Sequence, residues 1–458
     1  MNIGDLITGN VKDMDFPSGN DAGRLSDYAR FRKMLLGEHE EIFEPNLEDE
    51  KRRGESTIDN YIVWNFAGLI SRVASDFLFG EPITINSDKK TADKKIDEIV
   101  KRSNLHAKNA ESALTQSSRG DVVVKARYVE GEGSYIEYVA PDLYFQETDP
   151  DNINELKYVM LGWKKYNGDD EYLRAEIHEL GCIYNKLFKL KSNKIDYEVP
   201  LDMFYNNLDE IVETGIDKIP VKLITNFKDI DSEYGISDYY DLESLFKAIN
   251  NRISMIDSVH DRHSDPILSV PKGVLDENGE VKRGSLKMFE ISSDANQKPE
   301  YIVWDAKTDS AFKEVDLLIS AIMAASETST SILGMDKDGI AESGRALKFK
   351  MLRTIAKTKR KQRYYEESLK YIIDCALQFE KVTGVEVDII WGDGIPTDEK
   401  EVAELNEILI RSGQMSEEEA LRQRRPELDD KQIEEEMAKI KGSAEMDLDN
   451  VDINNEEE

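Results

Sequence analysis

Forty residues, Ser343 to Val382, constrain this chain more than any other stretch: SGRALKFKMLRTIAKTKRKQRYYEESLKYIIDCALQFEKV. After Gly344 no glycine or proline occurs before Gly384. Leu347, Met351, Leu352 and Ile355, then Leu369, Ile372, Ile373, Ala376 and Leu377, recur at helical spacing. The pattern predicts one long amphipathic helix, capped by Ser343 and stopped just before Gly384. At 1.5 Å per residue it would be about 57 Å long, a rod that an ordinary globular domain rarely needs. Its first half is basic. Nine cations and no anion lie between Arg345 and Arg363. Among them, Arg345, Lys348, Lys350, Arg353 and Lys357 are candidates for contact with DNA or a neighbouring subunit. The competing reading is a solvated face.

That run stands out because the rest of the chain is acidic. The 458 residues carry a formal charge of −33, which excludes a protein that grips nucleic acid over its whole surface. The length suggests two to four structural units. Cys182 and Cys375 sit far apart and in no metal-like spacing, which predicts inert thiols in a reducing compartment. The most apolar stretch, Tyr61 to Phe79, contains Arg72 and Asp76 and reads as a buried helix rather than a membrane span. Met1 to Asn10 lacks the basic and apolar regions of a signal peptide, so assembly in the cytoplasm is expected.

Residues 1 to about 56 read as polar, with a short helix at Asp27 to Leu36 and an exposed Glu-rich run from Glu38 to Glu50. Ile58 to Phe77 reads as one helical face, stopped at Gly80 and Pro82. Residues 91–118 read as a further helix. From Gly120 to about Phe227 the apolar period changes to two. Val122–Tyr128 and Tyr135–Val139 flank a Glu-Gly-Glu-Gly hairpin signal, and further strands are expected at Glu155–Tyr166, Tyr172–Leu180, Cys182–Leu190 and Val221–Asn226. Ser237 is expected to open a helix that Asp265-Pro266 ends. A small β-type insert follows to Trp304, then a helix from Asp309 to about Thr328 and a Gly/Asp-rich loop at Leu333–Glu342. Residues 398–458 hold 21 acidic and 8 basic side chains. Ser416–Glu419 reads as a capping box, a short helix is expected to start at Asp429, and Asp447 to Glu458 as a disordered acidic tail.

Little of this resembles catalytic chemistry. There is no G-x-x-x-x-G-K-[ST] loop, no G-x-S-x-G elbow and no H-E-x-x-H pair. His260 and His263 share a metal-compatible spacing but have no third ligand nearby, so a polar helix end is the better reading. The expectation is a protein with no cofactor, no metal and no enzymatic activity.

The order of the segments carries a resemblance. A helix ending in FGEPITI is followed by a β-rich region, an NRIS-containing helix running into DPIL, a small insert and a further helix. A Gly/Asp loop, SGRALKFKML, the long helix and an acidic end with SGQMSEEEAL complete the series. This resembles the portal proteins of tailed bacteriophages, in the branch common among long-tailed phages of Gram-positive bacteria.

The resemblance implies an α+β portal fold. Residues 1–236 would be the wing, 237–262 and 305–330 the stem helices, and 263–304 the β-containing clip. Residues 331–343 would be the tunnel loop, 344–394 the long channel-spanning helix with its return to the wing, and 395–458 the helical crown and acidic tail. It implies a ring of about twelve copies at one capsid vertex, around a channel for packaging and ejecting double-stranded DNA. Other implied partners are the terminase large subunit, a head-completion or adaptor protein, and the major capsid and scaffolding proteins, with no membrane involved. The DNA-facing loop residues would be Met335, Asp336, Lys337, Asp338, Glu342 and Ser343. The docking residues of the clip would be Lys272, Asp276, Glu277, Lys282, Arg283 and Lys287. The alternatives are an oligomeric scaffold or adaptor built on long helices, and a metal-dependent nucleic-acid enzyme. A broken heptad register around Lys357–Gln362 weighs against the first, and the lack of a compact acidic or histidine cluster weighs against the second.

Overall fold

The strands and helices of the chain can be followed in a computed structural model that describes residues 2–54, 56, 58–264, 267–269, 300–302, 309–333, 348–392, 399–425 and 432–440. The first part runs α1 (Ile3–Thr8), β1 (Met14–Asp15), α2 (Gly19–Leu36), α3 (His39–Phe43), α4 (Leu47–Arg53), α5 (Phe66–Phe79), β2 (Thr84–Ser87), α6 (Lys90–Ser103) and α7 (Leu105–Arg119). The β-rich part is β3 (Asp121–Val129), β4 (Gly133–Val139), β5 (Tyr144–Asp149), β6 (Asn152–Asn167), β7 (Asp170–Glu179), β8 (Cys182–Lys191), β9 (Lys194–Glu198), β10 (Ile211–Glu213) and β11 (Val221–Thr225). Then come α8 (Glu243–Ser264), β12 (Ile267–Ser269), β13 (Glu300–Ile302), α9 (Asp309–Ala325), α10 (Leu352–Phe379), β14 (Val387–Ile390), α11 (Glu399–Arg411) and α12 (Glu417–Arg424).

The chain forms two compact units, one of residues 1–338 and 350–394, the other of 339–349 and 395–458. In the first, the period-two region makes two antiparallel sheets. One has the order β1-β9-β8-β7-β6-β5 with β10 also on β8; the other is β11-β3-β4. The expected hairpin is present, with Val129 opposite Gly133 and Val123 opposite Val139. Three apolar clusters dominate. Ile372, Ile373, Ala376 and Leu377 of α10 pack with Val122, Val124 and Ala126 of β3 and with Ile96 and Ile99 of α6. Phe246 and Ile249 of α8 pack with Val315, Ile319 and Ile322 of α9 and with Phe31, Phe66 and Ile70. Phe145, Leu173, Ile177 and Phe188 close one face of the larger sheet against Ile3 and Leu6 of α1. Each such side chain contributes about 1.5–3 kcal/mol on burial, so the apolar stripes read from the sequence are the main source of this architecture.

The second unit is helical where described. Ser416 Oγ accepts the Glu419 N–H at 3.1 Å, which caps α12 as its sequence requires. Residues 432–440 form a further helix, and Ile433 and Leu421 are buried. The expected acidic tail lies outside the described residues.

Several expectations need correction. The helix expected from Ile58 begins only at Phe66, where Asn65 Oδ1 accepts the Gly68 N–H. Residues 58–65 instead lie extended along α8. Asp59, Ile62 and Trp64 donate their backbone N–H groups to Ser258 Oγ, Ser254 Oγ and Asn250 Oδ1 at 2.8, 2.8 and 2.9 Å. A ladder of side chains four residues apart satisfies these amides as a helix would have done. The single helix expected over 91–118 is two, broken at Asn104, whose φ of +50° is left-handed. Glu38–Glu50 is not a plain exposed run, since α3 and α4 bury His39 and Leu47. Ser237 does not open α8. Its hydroxyl donates to Ser118 O and accepts the Tyr239 N–H, six residues before the helix starts at Glu243.

The long helix also differs. Residues 348–350 are helical, Met351 turns, and α10 runs 28 residues from Leu352 to Phe379. Its stop is Lys381 at φ +61°, with Val382 N–H returning to Leu377 O, rather than Gly384. Ser343 lies outside the described residues.

Candidate functional site

Phase along α10 divides the basic run in two. Thr354, Lys357, Thr358, Lys361, Tyr365 and Ser368 recur at steps of three and four and are buried. Arg353, Lys359 and Arg363 share the opposite, exposed face with Leu352 and Ala356. Lys348 and Lys350, just before α10, are exposed as well. Arg345, the loop residues Met335, Asp336, Lys337, Asp338, Glu342 and Ser343, and the clip residues Lys272, Asp276, Glu277, Lys282, Arg283 and Lys287 lie outside the described residues.

The buried cations meet one carboxylate. Asp238 sits in the connection between β11 and α8, which is pinned at both ends: Asn226 N–H donates to Gly120 O at 2.7 Å, and Asp238 N–H donates to Ser117 O at 2.9 Å. Gly120 is at φ +90°, and a Cβ there would fall 2.6 Å from Gly235 O, so only glycine lets the two backbones approach. Lys357 Nζ reaches Asp238 Oδ1 at 3.2 Å and Lys361 Nζ reaches Oδ2 at 2.9 Å. Ser117 Oγ and Asn226 Nδ2 donate to the same carboxylate at 2.6 and 2.9 Å. Lys361 also donates to Asn226 Oδ1. Burial alone would raise the Asp238 carboxyl, but the two ammonium groups and these donors outweigh it and hold it well below the usual carboxylate range. Burial pulls Lys361 down to about 8 despite the facing carboxylate. The expected role of Lys357 in contacting DNA or another subunit is therefore corrected: its charge is used inside its own chain, because helical phase turns it inward.

The same helix face holds the end of α9. Thr354 Oγ1 donates to Glu327 O and accepts the Ser329 N–H, both at 3.0 Å. Lys357 Nζ donates to Ser326 O at 3.0 Å, and Arg360 pairs with Glu327. A cleft of about 450 Å³ opens beside these groups, lined by Phe227, Lys228, Asp241, Glu327, Arg360 and Tyr364 among others. Sequence reasoning missed Asp238, which no motif marks. Lys357 and Lys361 were findable, being eight and four residues before Tyr365 on the stripe that continues to Leu369 and Ile372.

Among the described residues no group of three His, Cys, Asp or Glu is placed to hold a metal ion, and no helix is long and apolar enough to cross a membrane.

A family model described as phage portal protein, SPP1 Gp6-like, matches residues 18–449. Among solved structures, the chain is similar to one from the virion of a native gene transfer agent particle, with 10% identity, 76% of this chain and 85% of that chain covered, and a TM-score of 0.41. It is also similar to one from the neck of a native gene transfer agent particle computed with C12 symmetry, with 11% identity, 78% and 89% coverage, and a TM-score of 0.45. No curated protein matches it.

Proposed function

This chain belongs to the SPP1 Gp6-like family of phage portal proteins, and from that premise we propose how its parts divide the work of a portal. It is a structural protein of the virion, a subunit of the ring at the capsid vertex whose channel passes double-stranded DNA during packaging and ejection. We assign the wing to residues 1–236, the stem to α8 and α9 within 237–262 and 305–330, the clip to 263–304, the tunnel loop to 331–343 and the crown to 395–458. The ring has about twelve copies. The clip docks the terminase large subunit and later the head-completion protein, while the wing meets the major capsid and scaffolding proteins.

The observation that carries this reading is the family match over residues 18–449, which spans every one of these parts. Packing supports the stem assignment. Phe312 and Leu317 of α9 and Met255 of α8 remain exposed beside the cluster their helices share, as expected of helices that neighbours in a closed ring flank on both sides. Electrostatics supports a conduit, because a wall with a net charge of −33 per subunit repels phosphates and does not retain its cargo. The exposed face of Arg353, Lys359 and Arg363 offsets this at one level of the channel or meets an acidic neighbour.

Purified protein should form a particle of about 0.63 MDa with a central hole by negative-stain microscopy, twelve times the 52.3 kDa chain. A small oligomer without a hole, inside virions as well as in solution, would defeat the reading. Deleting Asp336–Asp338 should leave rings intact and impair packaging or DNA retention. Subunits that no longer assemble would show that this loop is not a channel element.

A further inference from the structure

The stem helix α9 and the long helix α10 share no apolar cluster. Val315, Ile319, Ile322 and Met323 of α9 belong with α8, whereas Leu369, Ile372, Ile373 and Leu377 of α10 belong with β3 and β4. Apolar contact is weakly directional, so neither cluster fixes how one helix is set against the other. The polar groups between them do so. Past the end of α9, Ile322 O, Met323 O and Ala324 O accept the N–H groups of Ser326, Thr328 and Glu327 at 2.9, 2.9 and 3.2 Å. Ser326 O and Glu327 O are taken by α10, through Lys357 and Thr354. The turn that presents them holds Glu327 at φ +54°, a conformation a glutamate adopts only when its surroundings demand it.

We propose that Thr354 is a positioning residue of the DNA channel: its hydroxyl locks the end of α9 onto α10, with Lys357 and Arg360 as flanking ties. The inference rests on the reading above that these two helices belong to the channel wall. Thr354 is the critical member because one buried hydroxyl serves both strands of the turn, as donor to Glu327 O and acceptor from Ser329 N–H. Valine has the same shape and makes neither bond; serine makes both. The lysine is shared with Asp238, and the Arg360–Glu327 pair is half-exposed, so each contributes less to direction.

The test uses phage carrying full-length portal variants. Thr354→Val should assemble and enter capsids as wild type does. In the assembled ring its Ser329 amide should exchange about tenfold faster, as expected for a lost buried hydrogen bond. DNA packaged per portal-containing capsid should fall about fivefold, within the range by which coupling residues act. Thr354→Ser should restore both readouts, which a requirement for mere bulk would not allow. The inference is overturned if Thr354→Val packages at the wild-type level, or if it fails to assemble while serine assembles no better. The Asp336–Asp338 deletion separates the two levels. If that deletion blocks packaging and Thr354→Val does not, the inference falls and the channel reading stands. If both package normally, the inference falls and the assignment of Asp336–Asp338 to the tunnel loop falls with it.

Discussion

Lys361 Nζ lies 2.9 Å from Asp238 Oδ2, and the two side chains are only 4% and 5% exposed. A cation from the middle of the long helix is thus closed over a carboxylate from the connection into α8. Removing one partner of such a pair leaves an uncompensated buried charge. Asp238→Ala strands two lysines and should destabilise the subunit by about 3–5 kcal/mol in chemical denaturation. Lys361→Met leaves Asp238 with Lys357, Ser117 and Asn226, and should cost about 1–2 kcal/mol. The reverse order would mean that the carboxylate is not the centre of the network.

The two faces of α10 should respond oppositely to charge reversal. Glutamate at Lys357 or Lys361 places like charges against Asp238 and should abolish soluble subunit. The triple variant Arg353→Glu, Lys359→Glu, Arg363→Glu touches no described ion pair and should change stability by only about 0.5 kcal/mol. Its effect should appear in ring formation or in DNA packaged per particle. Normal assembly together with normal packaging would reduce that face to a solvated one.

Asp121 should give a pH dependence of unusual sign. Burial pushes its carboxyl up to about 6, opposed by the Tyr28 hydroxyl at 2.5 Å, the Gly235 N–H at 2.9 Å and the charges of Arg24 and Lys228. Between the ordinary carboxyl range and about 6 the folded chain holds a proton that the unfolded chain has released. Stability from this group is therefore present below pH 4 and lost as pH rises through 6, by about 3 kcal/mol. Asp121→Asn removes that slope while still offering an acceptor to Gly235. Denaturation curves between pH 4 and 7 decide the matter, and parallel slopes for wild type and variant would refute the assignment.

Ser254 and Ser258 should matter more than surface serines do. Each hydroxyl accepts an amide from the segment at 58–65 and donates to the carbonyl one turn earlier, Asn250 O and Ser254 O. Alanine at either position orphans a backbone N–H and should cost about 1–2 kcal/mol. Hydrogen exchange at Ile62 should rise with Ser254→Ala and at Asp59 with Ser258→Ala. Uniform exchange across the segment would show that packing, not the ladder, holds it.

Periodic features were legible in the sequence. The hairpin at Val122–Val139, the apolar stripes of α8, α9 and α10, and the cap at Ser416 follow from local rules that each residue obeys with its near neighbours. The failures share a cause. Ile58 to Asn65 has the apolar spacing of a helix, but Asn250, Ser254 and Ser258, nearly two hundred residues away, supply bonds that make the extended form as well satisfied. The start of α8 was misplaced because Ser118 claims the Ser237 hydroxyl.

The sequence by itself determined the mixed helical and sheet content and the identity of the buried stripes, because burial of apolar area depends on spacing that one chain segment carries alone, and the order of its segments carried the family resemblance. Tertiary structure alone decided what the charges do. Nine cations between Arg345 and Arg363 look alike in sequence, yet Lys357 and Lys361 are sealed against Asp238 while Arg353, Lys359 and Arg363 face solvent. A charge is stabilised only by partners a few ångströms away, and those partners come from segments that folding, not sequence order, brings together.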